Sequence, residues 1–595
     1  MEKLIARSMS KAAKQGMERT KVHVRNRAMF IKAYVGTYFE KEHGITGEQP
    51  INLVFSAIRA IVPQYVMKNP VTKVSSDFVE YDDYAYLLGR ALDGNNRKIK
   101  KKQTLRYGLV DAFLGGMAIF KTALADSGSF VMYGDTRIDN GMVFTDNVSL
   151  DDFVPDPDCK SWDKAAFLGD KIRAPRQILL DNNEYDHDLI MQLPSSKHAD
   201  VEKRVAEMTK RNMPHNEIQE LQDFVDIVYL YAPDADAVVV IPDPRQISFD
   251  DYLAVHEYFG PKDGPYTFLS MTQPVPDNPF PVAPVGMWYD LNLMANQMMV
   301  KTMARQMNQK TIGVVDPTGV DEAEDFRDAD DGDIVQGDPK NLSALTIGGR
   351  EAGDDDYITG LRLWSNYMSG NPDQMAGVAA NAKTATQSNN MQQNSNVGLE
   401  DGRGMLYDAA GELSRKEAWF MHHDPLISIP IPYRRQSGDH AQLTLTPEQR
   451  RGMPEDYIFD IKQRSMEIKD PRQLSQLIME FSTSVIPSVV MAGRTLMTEA
   501  GTPFNIAKAL SDIAENMGIL DEVHDWFEDP EYMQKLQLAS ILGPQGPMKA
   551  GMDGAIAQNG AAVGGVSGPT SPMQDRRSSE QTGANDAQSG FQGGL

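Results

Sequence analysis

The feature that most constrains this chain is the order of parts between Pro279 and Pro425. A proline-rich approach, Pro274, Pro276, Pro279, Pro281 and Pro284, gives way to a run from Met287 to Lys310 without proline, which predicts a long helix. Leu291, Met294 and Met298 mark one face, and Val300, Met303 and Met307 another. The apolar surface is therefore wider than one stripe, and the helix is expected to touch neighbours on several sides. Five methionines between Met294 and Met307 make that surface deformable, suited to contacts that slide or repack. A plainer reading is a buried helix inside one subunit. Such a helix is roughly 35 Å long, with Lys301, Arg305 and Lys310 toward its far end.

A β-like run, Thr311 to Val315, follows, and then Asp321, Glu322, Glu324, Asp325, Asp328, Asp330, Asp331 and Asp333 are opposed only by Arg327. Like charge at this density cannot be packed and is expected at the surface. It is not an EF-hand, because Ala329 and Gly332 stand where oxygen ligands are needed. From Asp355 the pattern is helical again, with Ile358, Leu361, Trp364 and Met368 at spacings of three and four, and Asn371-Pro372 stops it. Asp373 to Lys383 is small and flexible in composition, and Thr384 to Asn396 has almost no apolar residue. No proline separates these from a helical pattern at Leu406, Ala409, Leu413 and Phe420, so one long helix can cover both. Gly398, Gly402, Gly404 and Gly411 lie inside it and predict a kink near Gly398 to Gly404. A polar helix end without a core suits a water-filled channel.

With 595 residues the chain is too long for one core. Hydrophobic residues make up 41% of it, and no apolar run approaches the ~20 residues that span a bilayer, so no integral membrane segment is expected. A single cysteine, Cys159, excludes an intrachain disulfide framework and a thiolate metal cluster and suits a reducing compartment; its thiol is expected to be inert. The formal charge of −24 excludes gripping nucleic acid over the whole surface, though not a channel through which DNA slides past a few basic groups. The basic segment Met1 to Lys32 is interrupted by Glu2 and Glu18 and has no apolar core, which predicts neither a signal nor a transit peptide.

In chain order, Met1 to His43 reads as a polar helix with its Lys and Arg on a solvated face, and Asn52 to Met67 as an amphipathic helix kinked at Pro63 and closed by Asn69-Pro70. Tyr86 to Phe113 reads as one helix with Arg97, Lys98, Lys100, Lys101, Lys102 and Arg106 on its polar side, a face that could be solvated, lie between subunits or bind DNA. After Gly115-Gly116 the alternation becomes strand-like, with further strands at Val143 to Val148 and Ala165 to Ile172. Asp151, Asp152, Asp156 and Asp158 could be read as an acid/base or metal cluster, but no histidine is near and Asp-Pro pairs start turns for backbone reasons. Val201 to Glu220 is a polar, mostly helical insertion, and Val225 to Tyr231 and Ala237 to Ile241 form a hairpin. Short strands are expected at Leu426 to Ile431, Leu443 to Leu445 and Tyr457 to Ile461. Helices follow Asp470-Pro471 and Thr502-Pro503, with a third near Glu531 to Ile541 and disorder from Gly543 onward. There is no P-loop, Rossmann glycine pattern, nucleophile elbow or zinc spacing, and His422-His423 reads as a helix end.

This layout resembles the portal proteins of tailed double-stranded DNA bacteriophages, over most of the chain and without any catalytic signature. The resemblance implies an α+β portal fold: a wing at 1–283 and again at 425–470, stem helices at 284–310 and 354–370, and a clip at 311–353. It further implies a tunnel loop at 371–383, a long kinked helix at 384–424 and a helical crown at 471–542, with the disordered tail at 543–595. The implied protein is not an enzyme and needs no cofactor or metal. It is a homo-oligomeric ring, a dodecamer, at a capsid vertex of the virion, assembled in the host cytoplasm. Double-stranded DNA passes through it, and the terminase large subunit, major capsid and scaffolding proteins and tail adaptors contact it. On that basis Lys301, Arg305, Lys310, Gln374, Asn381 and Lys383 would face the channel, and Met294, Met298, Val300, Met303 and Met307 a neighbouring subunit. The eight carboxylates of Asp321 to Asp333 would dock partners at the clip. Two other readings are a magnesium-dependent nuclease built on the same carboxylates and another ring-shaped virion adaptor.

Overall fold

A computed structural model describes residues 2–36, 51–125, 130–133, 136–139, 141–196, 223–246, 252–273, 275–315, 342–347, 349, 352–370, 372–375, 385–424, 429–434, 440–445, 447–462, 465–466, 471–499, 506–517, 519 and 523. The chain is α+β and divides into two compact units, Met1–Lys469 and Asp470–Leu595. The insertion expected at Val201 to Glu220, the helix expected near Glu531 and the tail from Gly543 lie outside the described residues.

The first unit opens with α1 (Glu2–Val35) and α2 (Leu53–Tyr65). Asn52 caps α2, its side chain accepting from the Phe55 amide at 2.8 Å. Val54, Ala57, Ile58, Ile61, Val62 and Tyr65 make its buried face. The cations of α1 are not all solvated as expected. Arg27 reaches Asp111 at 2.7 Å, and Arg19 donates to the carbonyls of Pro157 at 2.7 Å and Cys159 at 2.9 Å.

Strand β1 (Thr72–Ser76) leads into α3 (Asp82–Lys98) and α4 (Lys101–Gly115). The sequence predicted one helix here, and the chain breaks it at Lys100, which sits in the left-handed region at φ 54° and ψ 44°. That conformation costs about 1–2 kcal/mol for an L-residue. Two contacts hold it: the Asn69 side chain caps the Lys102 amide at 2.9 Å, and Lys101 turns inward to Glu417 at 3.0 Å. Lys101 therefore leaves the polar face on which its basic neighbours were expected. At Gly116, φ is 93° and a Cβ would lie 2.6 Å from the Pro281 carbonyl oxygen, so only glycine makes the turn into the next strand.

The middle of the first unit is built from β2 (Met117–Ala125), β3 (Phe130–Tyr133), β4 (Thr136–Asp139), β5 (Met142–Val148), β6 (Phe153–Pro155) and β7 (Leu168–Pro175). It continues with α5 (Arg176–Asp181), α6 (His187–Gln192), β8 (Phe224–Ala232), β9 (Ala237–Pro242), β10 (Ala254–Glu257) and β11 (Tyr266–Ser270). Two larger antiparallel sheets result, in the orders β11-β2-β5 and β10-β9-β8-β7-β6, and β3 pairs with β4 in a separate two-stranded ribbon. The expected hairpin forms between β8 and β9, with Ala232 opposite Ala237. Period-two alternation assigns its two faces: Val228, Leu230 and Ala232 pack on Met9, Ala13 and Met17 of α1, and Val225 and Ile227 on Leu179 and Ile190. The aspartates beside β6 serve the turn. Asp156 accepts from the amides of Asp158 at 3.0 Å and Ala166 at 2.9 Å, and Asp152 pairs with Lys171 at 3.2 Å. Cys159 is buried, and that burial pushes its thiol up.

Next come α7 (Pro284–Met307), β12 (Lys310–Val315), β13 (Leu342–Ile347), α8 (Ala352–Met368), α9 (Pro372–Met375) and α10 (Ala385–His423). The unit closes with β14 (Ile429–Arg434) paired to β15 (His440–Leu445), and β16 (Tyr457–Ile461), which returns to pair antiparallel with β1. Its largest core joins Ile58 of α2, Leu109 of α4, Phe120 of β2, Trp288 of α7 and Leu406 and Leu413 of α10. Each such side chain contributes about 1.5–3 kcal/mol on burial.

The second unit holds α11 (Pro471–Glu480), a π turn over Phe481–Val485, α12 (Ile486–Glu499) and α13 (Ile506–Asn516) around Phe481, Leu510, Ala514, Ile519 and Val523. The sequence reading placed no helix between those after Asp470-Pro471 and Thr502-Pro503; α12 fills that interval, entered through the π turn and with Pro487 as its second residue. Leu474–Leu496 thereby becomes one helical run of 23 residues, long and apolar enough by those measures to cross a bilayer.

Candidate functional site

Helix α7 is seated by its own buried amides. Asn292 accepts from the Leu53 amide at 3.0 Å, while Asn296 accepts from the Ile51 amide and donates to the Ile51 carbonyl, both at 2.8 Å. These bonds satisfy backbone groups at the start of α2 that would otherwise be orphaned. Val285, Trp288, Tyr289, Ala295 and Thr302 share the buried face. The methionines that the sequence reading placed on the contact faces lie mostly off this buried face within the single chain. In the folded chain Met294 is 41% exposed, Met303 50% and Met307 84%, while Met298 and Val300 are half-buried.

From α7 the chain crosses to β12, which pairs with β13 from Lys310 opposite Ile347 to Val315 opposite Leu342, and α8 then returns along α7. Arg305 fixes this return by an ion pair to Asp354 at 2.7 Å. Its carbonyl also accepts from the Gly349 amide at 3.4 Å. Leu361 faces inward, but Tyr357, Leu363, Trp364, Tyr367 and Met368 are exposed, Trp364 by 63% and Tyr367 by 74%. The α7–α8 pair thus presents a methionine and aromatic surface that nothing in its own chain covers among the described residues.

Where α8 ends, Asp373 binds Arg362 at 3.1 Å and its amide donates to Asn366 at 3.0 Å. Together with Leu53, Ser56 and Ala60 of α2 these residues line a cavity of about 300 Å³ at the root of α9. Of the channel candidates, Lys301 is exposed and Arg305 is engaged by Asp354. Lys310 opens β12 and Gln374 lies in α9. Asn381, Lys383 and all eight carboxylates from Asp321 to Asp333, expected to dock partners, lie outside the described residues. Among the described residues no group of three or more His, Cys, Asp or Glu is arranged to hold a metal ion.

The polar N-terminal part of α10 continues into a buried root of the same helix, which no sequence pattern singled out. Lys101 and Glu417 meet with both side chains fully buried. Thr145 donates to Glu417 Oε1 at 2.6 Å, and Ser414 lies 3.4 Å from Lys101 and 3.2 Å from Thr72. Glu417 Oε2 is buried without a hydrogen-bond partner among the described residues. One position earlier, Lys416 is 1% exposed; it donates to the Tyr266 carbonyl and pairs with Glu412 at 3.0 Å and Asp263 at 3.2 Å. Burial tends to raise the Asp263 carboxyl, but Lys416 and Arg415 outweigh it and hold the group below its ordinary value. A second buried pair, Lys121 with Asp170 at 2.8 Å, takes a hydrogen bond from Tyr266, whose phenol burial keeps neutral. On α10, a slip in register would separate Lys416 and Glu417 from these partners and leave a buried charge without one.

At its end, α10 carries His422 and His423 in helix, as expected. The Tyr84 hydroxyl lies 2.9 Å from His422 Nδ1, and Arg450 donates to the His422 carbonyl at 2.7 Å. Burial, then His423 and Arg450, lower the His422 pKa. Compared with known proteins, the sequence matches no family model and no curated protein at a significant level.

Proposed function

We propose that this chain is a subunit of a portal-like ring, the conduit for double-stranded DNA at one vertex of a phage capsid. In this reading DNA is packaged and later ejected through the ring, which is structural rather than enzymatic. The terminase large subunit docks on it first and tail adaptors later, with major capsid and scaffolding proteins around it. The observation that carries the reading is the α7–α8 pair: two helices joined through a β-hairpin, seated on the first unit, with an apolar outer surface left uncovered. Copies of the chain arranged around an axis would cover it, and contacts of that kind close into rings. The 39-residue α10 adds a fixed root in the core and a polar N-terminal stretch suited to a bore.

In this assignment Met294, Met298, Val300, Met303 and Met307 meet the neighbouring subunit, and Lys301 and Lys310, with Gln374, Asn381 and Lys383, face DNA. The acidic segment Asp321 to Asp333 forms the tip that exchanges partners. Electron microscopy of the purified chain tests the reading: closed rings of about a dozen subunits with a central hole are expected. Met298→Asp with Val300→Asp should leave soluble folded chains and abolish rings. A compact monomer with magnesium-dependent cleavage of DNA would replace this reading with a nuclease.

A further inference from the structure

The first unit carries two exposed surfaces of opposite character. Between α2 and α4 an open groove of about 470 Å³ is walled by Tyr34, Phe55, Val62, Tyr107 and Val110. Tyr107 is 71% exposed and Phe55 39%. Arg59, exposed on α2, and Arg106, half-buried on α4, also line it, and neither has an ion-pair partner among the described residues. In a chain with 83 acidic and 59 basic residues, two uncommitted guanidinium groups on an aromatic wall mark a surface built for carboxylates beside an apolar anchor.

The second surface has that composition. Asp77, Glu80, Asp82 and Asp83 are all exposed around the turn Val79–Tyr81 that leads into α3, and Phe78 stands 54% exposed among them. None of the four carboxylates has an ion-pair partner among the described residues. The turn is held firmly. Ser76 Oγ donates to the Asp456 carbonyl at 2.9 Å and lies 3.2 Å from the Phe78 amide, and Phe78 packs on Tyr81, which packs on Tyr457. This tip precedes α3 and the groove follows it. Seventeen residues of helix put about 25 Å between the two ends. Each end is anchored in its own core, so the tip does not reach the groove of its own chain.

We propose that the Asp77–Asp83 tip of one copy docks in the α2–α4 groove of the next. Phe78 enters between Phe55 and Tyr107, and the carboxylates around it meet Arg59 and Arg106. A patch that fits a different patch on an identical neighbour makes a heterologous contact, the type that closes into rings. The contact rests on the ring reading and adds to it a belt separate from the α7–α8 surface.

Charge reversal tests it. Arg59→Glu with Arg106→Glu should raise the concentration for half-assembly by about tenfold or more, since like charges now face each other. Asp77→Lys with Glu80→Lys should do the same, and the four changes in one chain should restore assembly. Circular dichroism and melting temperature identify any variant that fails to fold. A second measurement avoids new charge: Cys159 is the only cysteine and is buried, so oxidised Phe78→Cys, Tyr107→Cys chains should give a ladder of disulfide-linked multimers. Unchanged assembly in both reversed pairs, with no ladder, overturns the contact and leaves the ring reading standing. A wild-type chain that stays monomeric at every concentration overturns both. If the arginine pair loses DNA retention while assembly is unchanged, the groove takes phosphates and the contact is overturned as well.

Discussion

The root of α10 and the outer surface of the α7–α8 pair invert the usual rule of burial in opposite directions. At the root, Lys101, Lys416 and Glu417 are charged and buried; on the helical pair, Met303, Met307, Trp364 and Tyr367 are apolar and exposed. Buried charge is weak as a source of stability but strong as a lock, because each register other than the native one strands an ion. Exposed apolar side chains are candidate contacts for a partner. The contrast separates a region closed within one chain from a region whose apolar side chains stay in water in the single chain. In the proposed ring the root would carry the polar end of α10 and the helical pair would meet neighbouring copies.

The largest expected effect comes from breaking the lock. Lys101→Ala leaves Glu417 buried, charged and unpaired, and should destabilise the first unit by about 3–5 kcal/mol. Urea unfolding of the Met298→Asp, Val300→Asp chain would measure this without a contribution from assembly. Replacing both partners, Lys101→Met with Glu417→Leu, should recover most of the loss. If the double replacement is no more stable than the single, Lys101 and Glu417 do not act as a pair and the lock is misassigned.

Smaller is the clamp between the two helices of the exposed pair. Arg305 and Asp354 are each partly accessible, and Arg305→Ala should cost about 1 kcal/mol in the folded chain. Hydrogen exchange should quicken in β12, β13 and the start of α8 while the α10 root is unaffected. Equal loosening at both places would mean that the two regions are not mechanically separate.

The sequence made the second region legible and the first almost invisible. Helical spacing, the Asn371-Pro372 stop and the proline-free run after Pro284 carry local signals, and the helices formed where those signals lay. Which face was buried was not legible, since Trp288, Asn292 and Asn296 become the inner face only because α2 and its start pack there. The lock joins residues from Thr72, Lys101 and Thr145 to Ser414 and Glu417, over separations of up to 342 positions. No periodicity records such a pairing, and a lysine in a basic run reads as solvated until its partner is known. The break at Lys100 was missed for the same reason: its cause, Asn69, lies outside the helix pattern.

The pH dependence of the root's far end should be smaller again. His422 has a pKa lowered from 6.5 in the folded chain, so the unfolded chain takes up its proton first. The contribution is therefore complete above 6.5 and is lost as pH falls below that value toward the folded pKa. His422→Gln should flatten that part of the stability curve. An unchanged slope in the variant would assign the dependence to other groups.

The smallest effect on folding is expected on the exposed surface itself, and it sharpens the comparison most. Trp364 and Tyr367 lie on one side of α8 at a spacing of three and lose little water contact when the isolated chain folds. Trp364→Ser with Tyr367→Ser should therefore change monomer stability by less than about 0.5 kcal/mol. If neighbouring copies cover the α7–α8 surface, the same variant should assemble far more weakly, because aromatic side chains buried at a contact carry much of its affinity. A large loss of monomer stability would show that the two side chains already serve their own chain. Unchanged stability with unchanged assembly would leave the exposed region without a partner and dissolve the contrast with the α10 root.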